Sequence, residues 1–145
     1  MRHSRLGFLA IAVAVLISCS SAPKAPDPTA LATARILAIP EPTPEKSRTL
    51  IHMKGWQNPY LIIRADGVGL LDPEDHLERI LKPGELTLAL GNLPPSAWPY
   101  GRVVAVTENA IKSSADDEVK IRANRAIVAG TLESMHVLIN WVPSA

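Results

Sequence analysis

The residue whose chemistry is clearest from the sequence is Cys19, the only cysteine among 145 residues. It follows Ser18 and an apolar run from Leu6 to Ile17. Arg2 and Arg5 precede that run. A basic start, a short apolar stretch and a small residue are the parts of an export signal, and the run is too short for a permanent transmembrane span. Because a cysteine thiolate is a soft nucleophile, the pattern predicts export with a chemically modifiable Cys19 at the cleavage point.

The run from Leu16 to Cys19 resembles the lipobox of bacterial lipoproteins. In that family a diacylglyceryl group is attached to the cysteine sulfur, the signal is removed, and the new amino terminus is acylated, for example with palmitate. The resemblance implies a signal peptide at residues 1–18 and a membrane anchor at Cys19, since several acyl chains hold a protein that one chain does not. Ser20 follows in place of aspartate, which by similarity to enterobacterial sorting implies the outer membrane, facing the periplasm. The alternatives are a plain secretory signal with a chance cysteine, or a free thiol.

The composition of the remaining chain limits what it can bind. Loss of Arg2 and Arg5 with the signal reduces the basic residues from 15 to 13, against 14 acidic residues. This balance gives no indication of a nucleic-acid partner. With Cys19 lipidated, no thiol remains for a disulfide, so the fold must be stabilised by packing. The length suits one small domain.

Residues 19–47 are predicted to be a lipid-anchored tether because prolines recur through them. These prolines are Pro23, Pro26, Pro28, Pro40, Pro42 and Pro44. Proline removes an amide donor and favours extended backbone, so the segment is expected to bury no core. The apolar stretch from Ala30 to Ile39 is the exception, and the sequence leaves open whether it forms a short helix, lies along the membrane or lies along the domain.

A single domain is predicted for residues 48–145, beginning with a β-hairpin. Its strands are expected at Tyr60–Ala65 and Val68–Asp72, joined by Asp66-Gly67, a pair typical of a type I′ turn with positive φ at both residues. Thr49–Met53 predicts a further strand before the hairpin.

The rest of the domain alternates between helix and strand. A helix is predicted within residues 81–93 because Pro83 suits a first helical turn and leucines recur at helical spacing. Residues 102–107 and 137–142 predict strands. Between them, a long helix starting near Ser113-Ser114 buries the stripe Ile121, Val128, Leu132 and Met135. The order hairpin, helix, strand, helix, strand predicts an α+β fold, a small sheet with two helices on one face.

The run from Leu61 to Leu71 resembles the first strand, Asp-Gly turn and second strand of the periplasmic domain of the ExbD/TolR family. Glu85-Leu86 with Leu90 is similar to that family's next helix, and Val103–Val106 to its next strand. The resemblance implies the domain shape and an accessory role in an envelope transport or energy-transducing complex. It implies no ion coupling, because a cleaved signal stands where that family has a transmembrane helix with an acidic residue.

A second resemblance is to the OmpA-like domain of Pal-type lipoproteins, which binds peptidoglycan. Val104–Asn109 is similar to the strand that runs into that family's Gly-His-Thr-Asp, and Ile121–Ala126 to its Leu-Ser-x-x-Arg-Ala. In that family an aspartate and an arginine bind the carboxylate and amine of diaminopimelate. Glu108 and Arg125 are the corresponding pair here. The simpler interpretation is that Arg125 is solvated or salt-bridged, and we expect the two head groups to lie apart.

The remaining candidates indicate neither a metal site nor an enzyme. His52, His76 and His136 lack metal-ligand spacing, and the acidic run Asp72–Glu78 lacks the calcium-loop pattern and is expected to be a solvated loop. No nucleophile, phosphate-loop or dinucleotide motif occurs, so no activity or cofactor is expected. Trp98 either plugs the end of the core, which we favour, or forms a ligand platform. The sequence therefore predicts a lipid-anchored binding or scaffolding module, with an envelope protein or peptidoglycan as partner.

Overall fold

The computed structural model describes residues 25–43, 45–46, 55–109 and 114–143. The α-helices are α1 (Pro28–Leu37), α2 (Leu86–Gly91) and α3 (Ala115–Ser134). The strands are β1 (Tyr60–Ile63), β2 (Val68–Leu71), β3 (Glu78–Leu81), β4 (Val103–Glu108) and β5 (Leu138–Trp141). Short 3₁₀ turns span Pro83–Glu85 and Pro95–Ala97. The predicted signal peptide, Cys19 and the predicted strand Thr49–Met53 lie outside the described residues.

The five strands form one mixed sheet in the order β3-β2-β1-β4-β5. β1, β2 and β3 pair with antiparallel neighbours, whereas β4 runs parallel to both β1 and β5. Because α3 connects β4 to β5, these elements form a parallel crossover unit with its helix on one face of the sheet. The carboxyl ends of β4 and β5 therefore meet at the same edge of the sheet.

One face of the sheet carries the core, and the predicted α+β class is confirmed. Alternate residues of β1, β2 and β4 are buried in a single cluster with residues of α1, α2 and α3. The strand members of this cluster are Leu61, Ile63, Val68, Leu70, Val104 and Val106. The predicted helical stripe, which ends at Met135 just beyond α3, is buried in the same cluster. Helix α1 joins the two predicted helices in covering this core.

Helix α1 changes the boundary of the domain. It begins after Asp27, whose side chain accepts a hydrogen bond from the Thr29 amide at 3.0 Å, and Pro28 occupies its first position. Its Ala32 and Ile36 are buried, and Ile36 belongs to the core cluster. Of the possibilities that the sequence leaves open for Ala30–Ile39, the structure has a short helix that packs on the domain. Proline at the first helical position removes no intrahelical hydrogen bond, so the proline-rich composition is compatible with a helix here.

The contact between α1 and α2 depends on Gly91. A Cβ atom built on Gly91 would lie 2.6 Å from the Ala32 Cβ and 2.8 Å from the Ala32 carbonyl oxygen. Such a contact is too close for real atoms, so a side chain at this position would force the helices apart. The absence of a side chain at Gly91 thus allows α1 to lie directly on α2.

We predict that Gly91→Ala destabilises the domain by about 1–3 kcal/mol, the usual range for overpacking. Gly130, inside α3, is the matched control because a Cβ there meets nothing within 4 Å among the described residues. Gly130→Ala should stabilise the domain by about 0.5–1 kcal/mol through helix propensity. Urea unfolding monitored by tryptophan fluorescence measures both. Equal stabilities of the Gly91→Ala variant and the unchanged protein would show that α1 does not pack as described.

The β1–β2 hairpin is confirmed, but its turn differs from the prediction. Ile63 pairs with Val68, so residues 64–67 form a four-residue connection, closed by a 2.9 Å hydrogen bond from the Arg64 amide to the Gly67 carbonyl. Asp66 does not have the positive φ that a type I′ turn requires. The longer loop removes the need for this turn. The Arg64 carbonyl also accepts a 2.8 Å hydrogen bond from the Asn124 side chain of α3.

The acidic run after β2 is exposed at residues 74–77, as the sequence predicts, but it forms a structured turn. Asp72 is buried, caps the turn by accepting from the Glu74 amide at 2.9 Å, and forms an ion pair with Arg79 of β3. Glu78 forms a bidentate pair with Arg64, the shortest contact being 2.7 Å. These two ion pairs join β3 to the hairpin and explain how a strand with charged residues forms at the edge of the sheet.

Helix α3 begins as the sequence predicts. The Ser114 hydroxyl accepts from the Asp117 amide at 3.1 Å, and the Ser114 amide donates to the Asp117 carboxylate at 3.3 Å. These reciprocal bonds satisfy two amides that would otherwise lack helical partners. Hydrogen bonding from Ser114, first from its side chain and then from its backbone, lowers the pKa of Asp117. This cap fixes where α3 starts relative to the end of β4.

Candidate functional site

The structure brings Glu108 and Arg125 together. Glu108 is the last residue of β4, and Arg125 lies midway along α3. The Arg125 Nη1 atom donates a hydrogen bond of 2.7 Å to Glu108 Oε1. The expectation that the two head groups lie apart is therefore wrong. They meet because α3 folds back across the sheet between two parallel strands, which brings the middle of the helix to the end of β4.

Trp141 is the third member of this site, and the sequence reasoning did not connect it to the pair. It is the last residue of β5 and pairs in register with Val106 of β4. The Arg125 guanidinium carbon lies 4.4 Å from the Trp141 ring centroid, the geometry of a cation–π contact. The signal that could have found it is the parallel register of β4 and β5, which cannot be read from a sequence alone.

The site can bind a charged ligand at its exposed side. The Arg125 side chain is 50 % exposed and the Glu108 side chain 25 %. A guanidinium has five N–H donors, and Arg125 donates one of them to Glu108. The face of the same guanidinium stacks on the Trp141 ring. Its remaining donors can receive a carboxylate, while the second oxygen of Glu108 can accept from an amine. The arrangement, which we name the Glu108–Arg125–Trp141 site, has the chemistry for a zwitterionic or amphipathic ligand.

The same geometry also fits an ordinary surface ion pair. Exposed pairs contribute about 0–1 kcal/mol to stability, because water screens the charges and holding long side chains costs entropy. The bidentate Arg64–Glu78 pair shows that this protein uses such pairs within its sheet. A binding measurement on variants of the pair separates a ligand site from a structural ion pair.

The aromatic loop before β4 divides its residues between core and surface. Trp98 is only 4 % exposed and belongs to the core cluster, which confirms the predicted plug. Tyr100 instead faces Trp56, with ring centroids 5.2 Å apart, and its hydroxyl donates to the Gly55 carbonyl at 3.1 Å. Asn58 is buried beside them and donates to the Gly101 and Val103 carbonyls at 2.8 and 2.7 Å. These bonds fix the loop rather than leave a free aromatic platform.

Neither a metal centre nor a membrane-crossing helix is found in the part of the chain that the structure describes. No group of three or more histidine, cysteine, aspartate or glutamate residues there could hold a metal ion. No helix there is long and apolar enough to cross a membrane. His76 and His136 occupy turns with φ of 55° and 54°, and His52 lies outside the described residues.

No protein family, curated protein or solved structure matches this chain. The resemblances to bacterial lipoproteins, to the ExbD/TolR family and to OmpA-like domains therefore stay predictions.

Proposed function

We propose that this chain is an exported lipoprotein, anchored through Cys19, whose α+β domain acts as a binding or scaffolding module in the cell envelope. The observation that carries the proposal is the position of the only cysteine directly after a basic and apolar export signal. An acylated amino terminus would keep the domain at the outer membrane, on the periplasmic side.

Helix α1 limits the length of chain between the proposed lipid and the folded domain. Because α1 belongs to the domain and starts at Pro28, only the stretch from Cys19 to Asp27 separates the lipid from folded structure. Nine residues span roughly 30 Å when fully extended. This reach is far less than a tether through residue 47 would give, so the domain would work close to the membrane surface. Such a position favours a partner at or near the membrane.

The anchor is tested by the mass of the mature amino-terminal peptide. The expected result is a peptide that starts at Cys19 and carries a thioether-linked diacylglyceryl group with an acylated amine. An unmodified Cys19 in a protein that fractionates without membranes would overturn the proposal.

Peptidoglycan is the second candidate partner, favoured by one observation. Glu108 and Arg125 lie 2.7 Å apart beside an aromatic ring, partly exposed, where the resemblance to OmpA-like domains requires its acid and arginine to converge. A paired acid and guanidinium can bind the carboxylate and the amine of one amino acid. The short anchor restricts the domain to targets near the membrane, which argues against peptidoglycan. The chemistry of the Glu108–Arg125 pair argues for it.

We predict that, if the Glu108–Arg125–Trp141 site binds peptidoglycan, Glu108→Ala and Arg125→Ala each abolish retention on purified sacculi and change stability by less than about 1 kcal/mol. Arg122→Ala is the matched control, because Arg122 is an exposed arginine one turn away on the same helix. Retention of both variants at the level of the control would contradict this function. Co-purification from crosslinked membranes then tests the alternative, an accessory subunit of an envelope transport or energy-transducing complex.

A further inference from the structure

A cavity of about 770 Å³ lies at the opposite end of β4 from Glu108. It opens where residue Arg102, directly before β4, faces the end of α3 and the start of β5. Six strand residues separate Arg102 from the end of β4, which corresponds to roughly 20 Å. The cavity is therefore distinct from the Glu108–Arg125–Trp141 site.

Arg102 is the unusual residue of this cavity. Its side chain is only 11 % exposed, and within the described residues its Nε atom has no hydrogen-bond partner. The nearest carboxylate oxygen in that part of the chain belongs to Glu41, at 4.0 Å, on a side chain that is 88 % exposed. This contact is too long for a hydrogen bond. Among the residues that the structure describes, Arg102 is therefore a nearly buried cation whose ion pair with the exposed Glu41 carboxylate is long and whose Nε donor is unsatisfied.

The backbone holds Arg102 in place from both sides. Its amide donates to the Pro40 carbonyl and its carbonyl accepts from the Leu138 amide, both at 2.9 Å. The segment after α1 continues alongside, with the Thr43 amide donating to the Tyr100 carbonyl at 3.0 Å. The guanidinium is thus presented by a fixed frame, and binding an anion there would require little reorganisation.

Burying an arginine with only a long ion pair and an unsatisfied donor is unfavourable. A buried guanidinium loses hydration, and an unsatisfied buried donor is destabilising unless another group pairs with it. Replacing a buried ion pair by apolar residues of similar volume is often neutral or stabilising. A ligand oxyanion at Arg102 would supply a closer partner than Glu41 and an acceptor for Nε, and it would account for an arginine at this position.

The other walls of the cavity specify more than an anion. Glu41 and Glu133 contribute carboxylates, and His136 contributes an imidazole. Pro42, Val137 and Ile139 contribute apolar surface. Two carboxylates disfavour a dianion such as phosphate but suit a ligand ammonium group. The lining therefore offers a guanidinium that can pair with a ligand carboxylate, two carboxylates that can pair with a ligand ammonium, and an apolar wall for a ligand side chain.

We propose that this cavity binds a small zwitterion, an amino acid or the free end of a short peptide, through Arg102. The carboxylate of the ligand pairs with the planar fork of Arg102, the ammonium pairs with Glu133 and Glu41, and the side chain lies on the wall of Pro42, Val137 and Ile139. The site does not depend on lipidation of Cys19 or on the Glu108–Arg125–Trp141 site.

Three related probes test the proposal on the full-length protein purified in mild detergent. L-Leucine carries both charges, N-acetyl-L-leucine lacks the ammonium, and L-leucinamide lacks the carboxylate. Thermal unfolding monitored by tryptophan fluorescence reports binding, because a ligand that binds only the folded state raises Tm. We expect a saturable rise with leucine below about 10 mM, binding of N-acetyl-leucine that is about tenfold weaker, and no rise with leucinamide.

The variants assign the effect to residues. Arg102→Met should raise Tm without ligand and weaken leucine binding at least about tenfold, whereas Arg122→Met on the exposed side of α3 should leave leucine binding unchanged. Glu41→Gln with Glu133→Gln should remove the preference for leucine over N-acetyl-leucine. If Arg102→Met does not fold, Arg102→Lys serves, since it keeps the charge and loses the bidentate fork, and it should weaken binding.

Several outcomes overturn the proposal. These are no saturable rise with leucine, equal binding of leucinamide, equal binding of N-acetyl-leucine, or unchanged leucine binding in the Arg102 variants.

Discussion

Replacing Gly101 by alanine is expected to destabilise the domain by about 2–4 kcal/mol, the range of severe single-site defects. Gly101 has a φ of 81°, which L-residues rarely adopt. A Cβ atom there would also collide with the Glu41 carbonyl oxygen and lie 2.9 Å from the Pro40 carbonyl oxygen. Because both obstacles are backbone atoms, no side-chain rotation can relieve the contact. Urea unfolding of the full-length protein measures the loss.

Gly55→Ala is the control that separates backbone strain from collision. Gly55 has a similar φ of 87°, but a Cβ there meets nothing within 4 Å among the described residues. Gly55→Ala should lower the free energy of unfolding by about 1–2 kcal/mol, because its side chain must adopt the left-handed conformation. The difference in free energy of unfolding between the two variants measures the contact between residues 40–41 and the start of β4. If both variants lose the same stability, the segment after α1 does not pack on Gly101.

The elements with strong local signals could be predicted from the sequence. Helix α3 combines a capping serine at Ser114, acidic residues in its first turn and a buried stripe, and each feature acts within a few residues of the chain. The β1–β2 hairpin could be predicted for the same reason. Its turn type could not, because the number of loop residues depends on where the strands stop pairing.

The elements that the sequence did not reveal depend on distant partners or on conflicting signals. Strand β3 starts with Glu78 and Arg79, whose charges are matched only by Arg64 and Asp72 in the fold. For helix α1, the proline-rich composition left a short helix as only one of the possibilities for Ala30–Ile39, although Asp27-Pro28 is a proper helix start and could have decided between them. Composition describes a segment on average, whereas capping acts at single positions.

The candidate sites show the same division. Glu108 and Arg125 could be selected from the sequence because each lies in a short recognisable run. Their contact and the stacking on Trp141 follow from the parallel register of β4 and β5. The Arg102 cavity could not be predicted, since its walls come from residues near positions 41, 102 and 133–139. Arg102 becomes buried only when the chain folds, so no local sequence pattern identifies it.

Replacing Cys19 by alanine is expected to have the largest effect on where the protein is found. Under the proposed lipidation, no diacylglyceryl group can be attached without the sulfur, so processing before residue 19 should fail. The protein should then accumulate as an uncleaved precursor or as misprocessed exported material. Membrane fractionation combined with intact mass measurement tests this result.

Ser20→Ala is the matched control, because it changes the neighbouring residue and keeps the Cys19 sulfur, so under the proposal it should be lipidated and remain in the membrane fraction. A second variant, Ser20→Asp, tests the sorting expectation and should shift the protein from the outer to the inner membrane without loss of lipid.

The effect expected of Cys19→Ala rests on the anchoring free energy of the acyl chains: each buried CH₂ contributes about 0.8 kcal/mol, and one chain alone binds only reversibly. Complete loss of the sulfur-linked chains therefore removes the anchor rather than weakening it. If the intact mass showed Cys19→Ala to be cleaved after Ser18 and the protein still stayed in washed membranes, something other than lipid would hold the domain, and the lipid anchor would have to be abandoned.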